Sequence, residues 1–211
     1  MDMWRSLQPR ECRPEWFFDQ CLGLTSGLQK IHRLGLQSSK ETSNKPIPTN
    51  NVATAALSSS LNETWGHHGD LKPENILWFK ENPACRENHL AISDFFLSRF
   101  GTIKSPSNVL QTNTRGISGT YRTPELQLDG RTTQFYDIWS LGCVLLEFTS
   151  WFLLGYDKGI KDFSRARCED VLEPQKMPED KFFRLLEGGK AVVRASVISV
   201  SRLRNRCVCS A

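Results

Sequence analysis

The stretch His68-Gly69-Asp70-Leu71-Lys72-Pro73-Glu74-Asn75 runs at once into Ile76-Leu77-Trp78-Phe79. A cluster of His, Asp, Lys and Asn opening into four apolar residues reads as a polar loop followed by a short strand. Leu90-Ala91-Ile92 reads as a second strand, joined to the first through the turn-prone Glu81-Asn82-Pro83. Upstream, Phe17, Cys21, Leu24, Leu28 and Ile31 recur at steps of four and three. That spacing predicts a helix over Trp16 to Leu34, closed by Gly35. Downstream, Tyr136 to Phe152 is apolar nearly all round, the mark of a helix buried at the centre of a domain. A further helix is expected from Glu179 to Leu186, ending at Gly188-Gly189, while the β-branched stretch Ala191 to Val200 takes no assignment. The expected fold class is mainly α with short β-hairpin elements.

The chain of 211 residues suffices for one domain with a sizeable core. Its 39% hydrophobic and 24% charged residues are ordinary for a globular protein, so composition names no function. The formal charge of +4 is uneven: from Lys176 to Ala211 eight Lys or Arg face three Asp or Glu, a surplus of +5, which leaves −1 for the other 175 residues. This basic tail reads as a solvated helix and a frayed end, and no nucleic-acid partner is expected. Seven cysteines at scattered spacing make no disulfide framework and point to a reducing, intracellular setting, cytoplasm or nucleus. Met1 to Arg13 lacks a signal peptide's apolar run, and Leu141 to Tyr156 is interrupted and shorter than a bilayer, so no membrane span is expected. Leu36 to Thr64 is dominated by Ser, Thr, Asn and Pro and reads as a surface insertion. His67, His68, Cys85 and His89 lack the paired spacing of a closed zinc site.

Moving a phosphoryl group from ATP to a hydroxyl requires a carboxylate near the attacking oxygen, an amide and a carboxylate on the metal, and cations beside the migrating group. Asp70, Asn75 five residues on, and Asp94 after the second strand supply three of these. Here the sequence resembles the protein kinase family, its serine/threonine branch in particular. Seven of the eight letters of that family's H-R-D-L-K-P-E-N loop stand from His68 to Asn75. Three more matches follow in order: Ser93-Asp94-Phe95-Phe96 looks like the metal-binding D-F-G element, and Tyr121-Arg122-Thr123-Pro124-Glu125 looks like the A-P-E end of the activation segment. Asp137-Ile138-Trp139-Ser140-Leu141-Gly142 looks like the D-x-W-S-x-G start of the buried helix. The segment Leu28-Gln29-Lys30-Ile31-His32 resembles the end of the helix before the catalytic loop. Gly69 and Trp78-Phe79 make the wording most similar to kinase-like proteins of filamentous fungi.

The resemblance implies Asp70 as catalytic base, Lys72 as the cation beside the γ-phosphate, and Asn75 and Asp94 as cofactor-binding groups holding Mg²⁺. It implies structural support from His68, Ser118, Glu125 and Asp137, with Arg184 a candidate partner for Glu125. ATP and Mg²⁺ are the implied cofactors, and a protein serine or threonine the implied acceptor. The likeness covers roughly Pro14 to Gly188. The expected layout is therefore a partial kinase-like domain over 14–188, the C-terminal lobe alone, containing the 36–64 insertion and followed by the basic tail 189–211.

Several positions depart from the family pattern. No G-x-G-x-x-G occurs, and the 15 residues before Trp16 are too few for five strands and a helix, which need more than about 35. Lys30, Lys40 and Lys45 fall in the first helix or the insertion and replace no strand lysine. Gly69 stands where many kinases carry an arginine, so phosphate on Thr112, Thr114 or Ser118 has less charge to recruit. Phe96 replaces a glycine and is expected to impair Mg²⁺ binding at Asp94. The expectation is a chain inactive by itself, with a pseudokinase-like binding module as the alternative.

Overall fold

The computed structural model describes residues 12–37, 64–80, 88–102, 119–130, 133–170 and 178–201. The Leu36–Thr64 insertion lies almost entirely outside them, as do Ser118 and the tail beyond Ser201.

Helix α1 (Pro14–Gln37) and helix α3 (Gln134–Tyr156) make the core. The apolar stripe of α1 is buried through Phe17, Leu24, Leu28 and Ile31, as its spacing requires, and α3 answers with Leu141, Val144, Phe148 and Trp151. Phe17 stacks on Phe152 at 4.5 Å between ring centroids, and Phe148 lies 4.7 Å from Phe17. Each such side chain withdrawn from water stabilises the fold by about 1.5–3 kcal/mol before chain entropy is set against it. By length and composition alone the helical stretch Gln134–Glu169, kinked at Gly155 (φ 77°), is long and apolar enough to cross a bilayer. The same apolar length is what a core helix needs, and Trp151 is wholly buried.

Short antiparallel pairs hang on this helix pair. Strand β1 (Thr64–His67) pairs with β4 (Arg99–Thr102), and β2 (Ile76–Phe79) pairs with β3 (His89–Ile92) in the register Ile76 opposite Ile92. The β2–β3 hairpin follows the sequence expectation; β1 and β4 were not anticipated, because four-residue strands broken by Gly66 and Gly101 carry little periodic signal. Buried Gln20 ties α1 to the hairpin by accepting from the Leu90 backbone N–H at 2.7 Å, and Trp16 donates to the Asn88 carbonyl at 2.8 Å.

Helix α2 (Pro124–Asp129) begins with Thr123, whose hydroxyl accepts from the Leu126 N–H, and ends at Gly130 in the left-handed region. Thr133 caps α3 in the same manner. Beyond α3 a turn of π-helix over Asp157–Asp162 leads into α4 (Phe163–Glu169). The helix expected over Glu179 to Leu186 is corrected by the structure. Strand β5 (Phe183–Leu185) pairs with β6 (Ala191–Val193), and α5 (Ala195–Ser201) follows. Gly188 and Gly189, both at positive φ, reverse the chain between the strands instead of ending a helix.

Candidate active site

Strand β1 delivers the chain to His68, and the first turn of α3 meets it there. Asp137, fully buried, accepts from the backbone N–H groups of both His68 (2.7 Å) and Gly69 (2.8 Å), one on each carboxylate oxygen. A buried carboxylate needs such donors, and in accepting them it determines the direction in which the loop leaves β1. Gly69 then adopts φ 86°. A Cβ there would stand 2.9 Å from the Leu97 carbonyl oxygen, so this crossing of two segments tolerates only glycine.

Asp70 follows, mostly buried, and its carboxylate gathers the polar groups of the loop. Its Oδ2 accepts from Lys72 Nζ at 2.7 Å and from Asn75 Nδ2 at 3.1 Å, and its carbonyl accepts from Asn75 Nδ2 at 2.8 Å. The structure thus brings Asp70, Lys72 and Asn75 together. A single turn of 3₁₀-helix, Pro73–Asn75, with proline at its first position, makes the five-residue spacing short enough for this.

His68 links the loop to the residue before Asp94. Its Nε2 lies 2.9 Å from the Ser93 carbonyl, which can only accept, so Nε2 carries the proton and Nδ1 accepts from the Asp70 N–H at 3.3 Å. Ser93 in turn donates from both its N–H (2.8 Å) and its hydroxyl (2.9 Å) to the Asn75 carbonyl. Asp94 sits next in the chain, exposed, at φ 62°, the positive-φ non-glycine position among the described residues. Such a conformation costs about 1–3 kcal/mol and persists only where the surroundings impose it. Its Oδ1 accepts a long bond from the Phe96 N–H at 3.3 Å, while the Phe96 side chain is 90% exposed. Phe95 packs edge-on against the His68 ring.

These groups fit a hard divalent cation. The Asn75 amide nitrogen is committed to Asp70, which leaves its oxygen as the donor, and Asp94 presents an exposed carboxylate. Magnesium characteristically takes one or two protein oxygens and completes its shell with water and phosphate. Among the described residues no three His, Cys, Asp or Glu side chains come together to hold a metal unaided.

The remaining expected residues are placed as follows. Ser118 lies outside the described residues. Glu125 is exposed on the first turn of α2, and Arg184 does not serve as its partner: Arg184 turns to Asp170, 3.4 Å away on the segment after α4. The hairpin that replaces the expected helix sets that direction. Glu147, the acidic residue inside the apolar run of α3, is buried and paired: it accepts from Tyr121 (2.6 Å) and Arg167 (2.7 Å). Its partners stand 20 or more residues away along the chain. Burial pushes the Glu147 carboxyl up, and the Arg167 guanidinium opposes this.

The sequence model described as "Protein kinase domain" matches residues 62–184, more than half of the chain. Over 88 residues the chain is 39% identical to a probable cyclin-dependent kinase 8 of Dictyostelium discoideum, covering 41% of this chain and 22% of that protein. It is 31% identical over 128 residues to cyclin-dependent kinase E-1 of Arabidopsis thaliana, covering 60% and 25%. It is 40% identical over 82 residues to mitogen-activated protein kinase 13 of Oryza sativa subsp. japonica, covering 38% and 15%. The match spans about a quarter or less of these curated relatives. No solved structure matches the chain.

Proposed function

Because the chain belongs to the eukaryotic protein kinase family, we propose that its residues 68–75 and 93–94 form the acceptor side of a site that transfers the γ-phosphate of ATP to a protein serine or threonine. The observation that carries this reading is the convergence of Lys72 and Asn75 on one carboxylate oxygen of Asp70. With Oδ2 held by two donors, Asp70 keeps Oδ1 to accept the proton of an incoming hydroxyl, and Lys72 stands within reach of a transferred group to offset its charge. Asn75 and Asp94 would hold Mg²⁺, which when bound screens the phosphate charges. The chain itself orients the hydroxyl, through the Asp137 clamp behind Asp70, and receives its proton.

We propose further that these residues are the C-terminal lobe of the domain, spanning 14–188, and that the 211 residues by themselves do not turn over. A loose phosphoryl-transfer transition state needs cations and backbone donors around the phosphates as well as a base beneath the acceptor. No G-x-G-x-x-G loop occurs in the sequence to supply them. Phe96, where family members carry glycine, favours the second reading, a pseudokinase-like module that binds a protein partner.

Transfer of ³²P from Mg-ATP to a general protein substrate tests both, with Asp70→Asn as control. The purified chain should show only background. Transfer that disappears in Asp70→Asn would overturn the inactivity of the chain and establish Asp70 as its base. Transfer that survives Asp70→Asn would remove Asp70 from the chemistry. A binding module would show saturable partner association indifferent to ATP and to Asp70→Asn.

A further inference from the structure

We propose that Trp16 and Gln20 are positioning residues for Asp94: by holding the outer edge of β3 they fix where that strand delivers the carboxylate. Peptide groups along a strand face alternate sides. Ser93 faces β2, donating its N–H to the Asn75 carbonyl at 2.8 Å. Leu90, three residues earlier, therefore faces away from β2, and Asn88 faces away with it. Side chains of α1 occupy that edge as a third strand would. Gln20 Oε1 accepts from the Leu90 N–H at 2.7 Å, Trp16 Nε1 donates to the Asn88 carbonyl at 2.8 Å, and Gln20 Nε2 makes a long contact of 3.5 Å with the same carbonyl. Trp16 and Gln20 are four residues apart and share one face of the helix.

A hairpin of two four-residue strands has little stability of its own, so its place is set by what it rests on. The bonds that Ser93 makes to Asn75 tie β3 to β2, and the His68 ring, donating to the Ser93 carbonyl at 2.9 Å, ties it to the loop. None of these fixes the hairpin against α1. Trp16 and Gln20 do so. Two turns beyond Gln20 on the same face, Ile92 Cδ1 lies 3.7 Å from where a Cβ would stand on Gly27, so the far end of β3 rests on α1 by packing. Packing of that kind resists separation more than sliding, and the hydrogen bonds at the near end stop the slide. Gln20 and Leu90 are both buried, so loss of the amide would leave the Leu90 N–H without an acceptor where water is a poor replacement. The strand would shift to satisfy that N–H. The shift would pass through Ile92 and Ser93 to Asp94, whose φ of 62° persists only where its surroundings impose it.

The inference rests on Asp94 being a metal-holding group, and its test separates the two readings. Gln20→Met keeps the side chain's bulk and removes the amide, while Trp16→Phe keeps an aromatic ring and removes its N–H. Amide hydrogen exchange of the 211-residue chain, resolved by NMR, is read at Leu90 and Ser93, and at Val144 and Phe148 in the middle of α3, which report any general loss of stability. Gln20→Met should speed exchange at both Leu90 and Ser93 by about tenfold beyond any change at Val144 and Phe148, and Trp16→Phe should act in the same direction. In a Mn²⁺ titration followed by electron spin resonance, each variant should bind several-fold more weakly than the parent chain. Acceleration confined to Leu90, acceleration at Ser93 no greater than in α3, or unchanged Mn²⁺ affinity beside an accelerated Ser93 would each overturn the positioning role. If Gln20→Met does not fold, Trp16→Phe decides by the same two measurements. A parent chain that binds no Mn²⁺ removes the metal reading of Asp94 and leaves exchange at Ser93 to decide for or against Trp16 and Gln20.

Discussion

Arg167 donates from Nη2 to Glu147 Oε1 across 2.7 Å, with both side chains almost wholly withdrawn from solvent. The guanidinium lies between the rings of Phe163 and Phe182, 4.3 Å from each centroid, and binds Asp180 through Nε at 2.5 Å and Nη2 at 3.0 Å. Tyr121 holds the other oxygen of Glu147. One cation thus fastens α3, α4 and the segment before β5, and through Glu147 the segment that precedes α2.

Removing one partner of this pair leaves a charge buried without an opposite. Arg167→Met is expected to lower the unfolding free energy by about 3–5 kcal/mol. The double variant Glu147→Leu with Arg167→Met should lose less than the two single losses added together, because the pair shares one interaction. Denaturant melts of the four proteins check this; additive losses would show that the residues act independently.

Gly69 is the position at which a small change should do most to the loop. Alanine there meets a positive φ and the Leu97 carbonyl together. Gly69→Ala should cost about 2 kcal/mol or more, read as a lowered melting temperature. The arginine that many kinases carry at this place would meet the same obstacle, so restoring it should destabilise this chain and not improve it. A Gly69→Arg variant as stable as the parent would refute the argument.

Phe96 contributes almost no packing, so its expected effect runs through the backbone. Replacing it by glycine frees the turn after Asp94 to find conformations that a side chain resists. Phe96→Gly should bind Mn²⁺, used as a paramagnetic stand-in for Mg²⁺, several-fold more tightly in a titration followed by electron spin resonance. Equal affinity in the two proteins would show that Phe96 does not impair the metal site.

Alkaline pH should unfold the protein early. Burial pushes the protons of Tyr121, Tyr136 and Cys143 well above their ordinary values of 10.0, 10.0 and 9.0, with neighbouring carboxylates adding to each shift: Glu147 for Tyr121 and Cys143, Asp70 and Asp137 for Tyr136. Groups whose folded values are raised contribute fully below the unfolded value and lose that contribution as pH rises. Stability should therefore fall from about pH 9 upward, by as much as about 1.4 kcal/mol per pH unit for each group that the unfolded chain has released. Tyr121→Phe should flatten the slope between about pH 10 and 11 by one group's share. An unchanged slope in that variant would assign the alkaline transition elsewhere.

The long periodic elements were legible because their signal repeats along many residues. The stripe from Phe17 to Ile31 and the apolar run of α3 each specify a buried face several times over, and a local motif such as Asp70 to Asn75 needs only a 3₁₀ turn to assemble. The β1–β4 pair and the β5–β6 hairpin were not legible. Strands of three or four residues acquire their stability from a partner remote in the chain, and a Gly-Gly pair serves equally well to stop a helix or to reverse a hairpin.

The order of residues alone determined the family and the chemical character of the loop, since charge, amide and imidazole are properties of side chains wherever they stand. Only the tertiary structure decided which partners those groups meet. His32 reaches Asp137 across 105 positions of sequence, Gln134 reaches Gly66 across 68, and Arg184 pairs with Asp170 and not with Glu125. Such pairings depend on how helices and strands are set against one another in space, and nothing in the spacing of the residues along the chain encodes that arrangement.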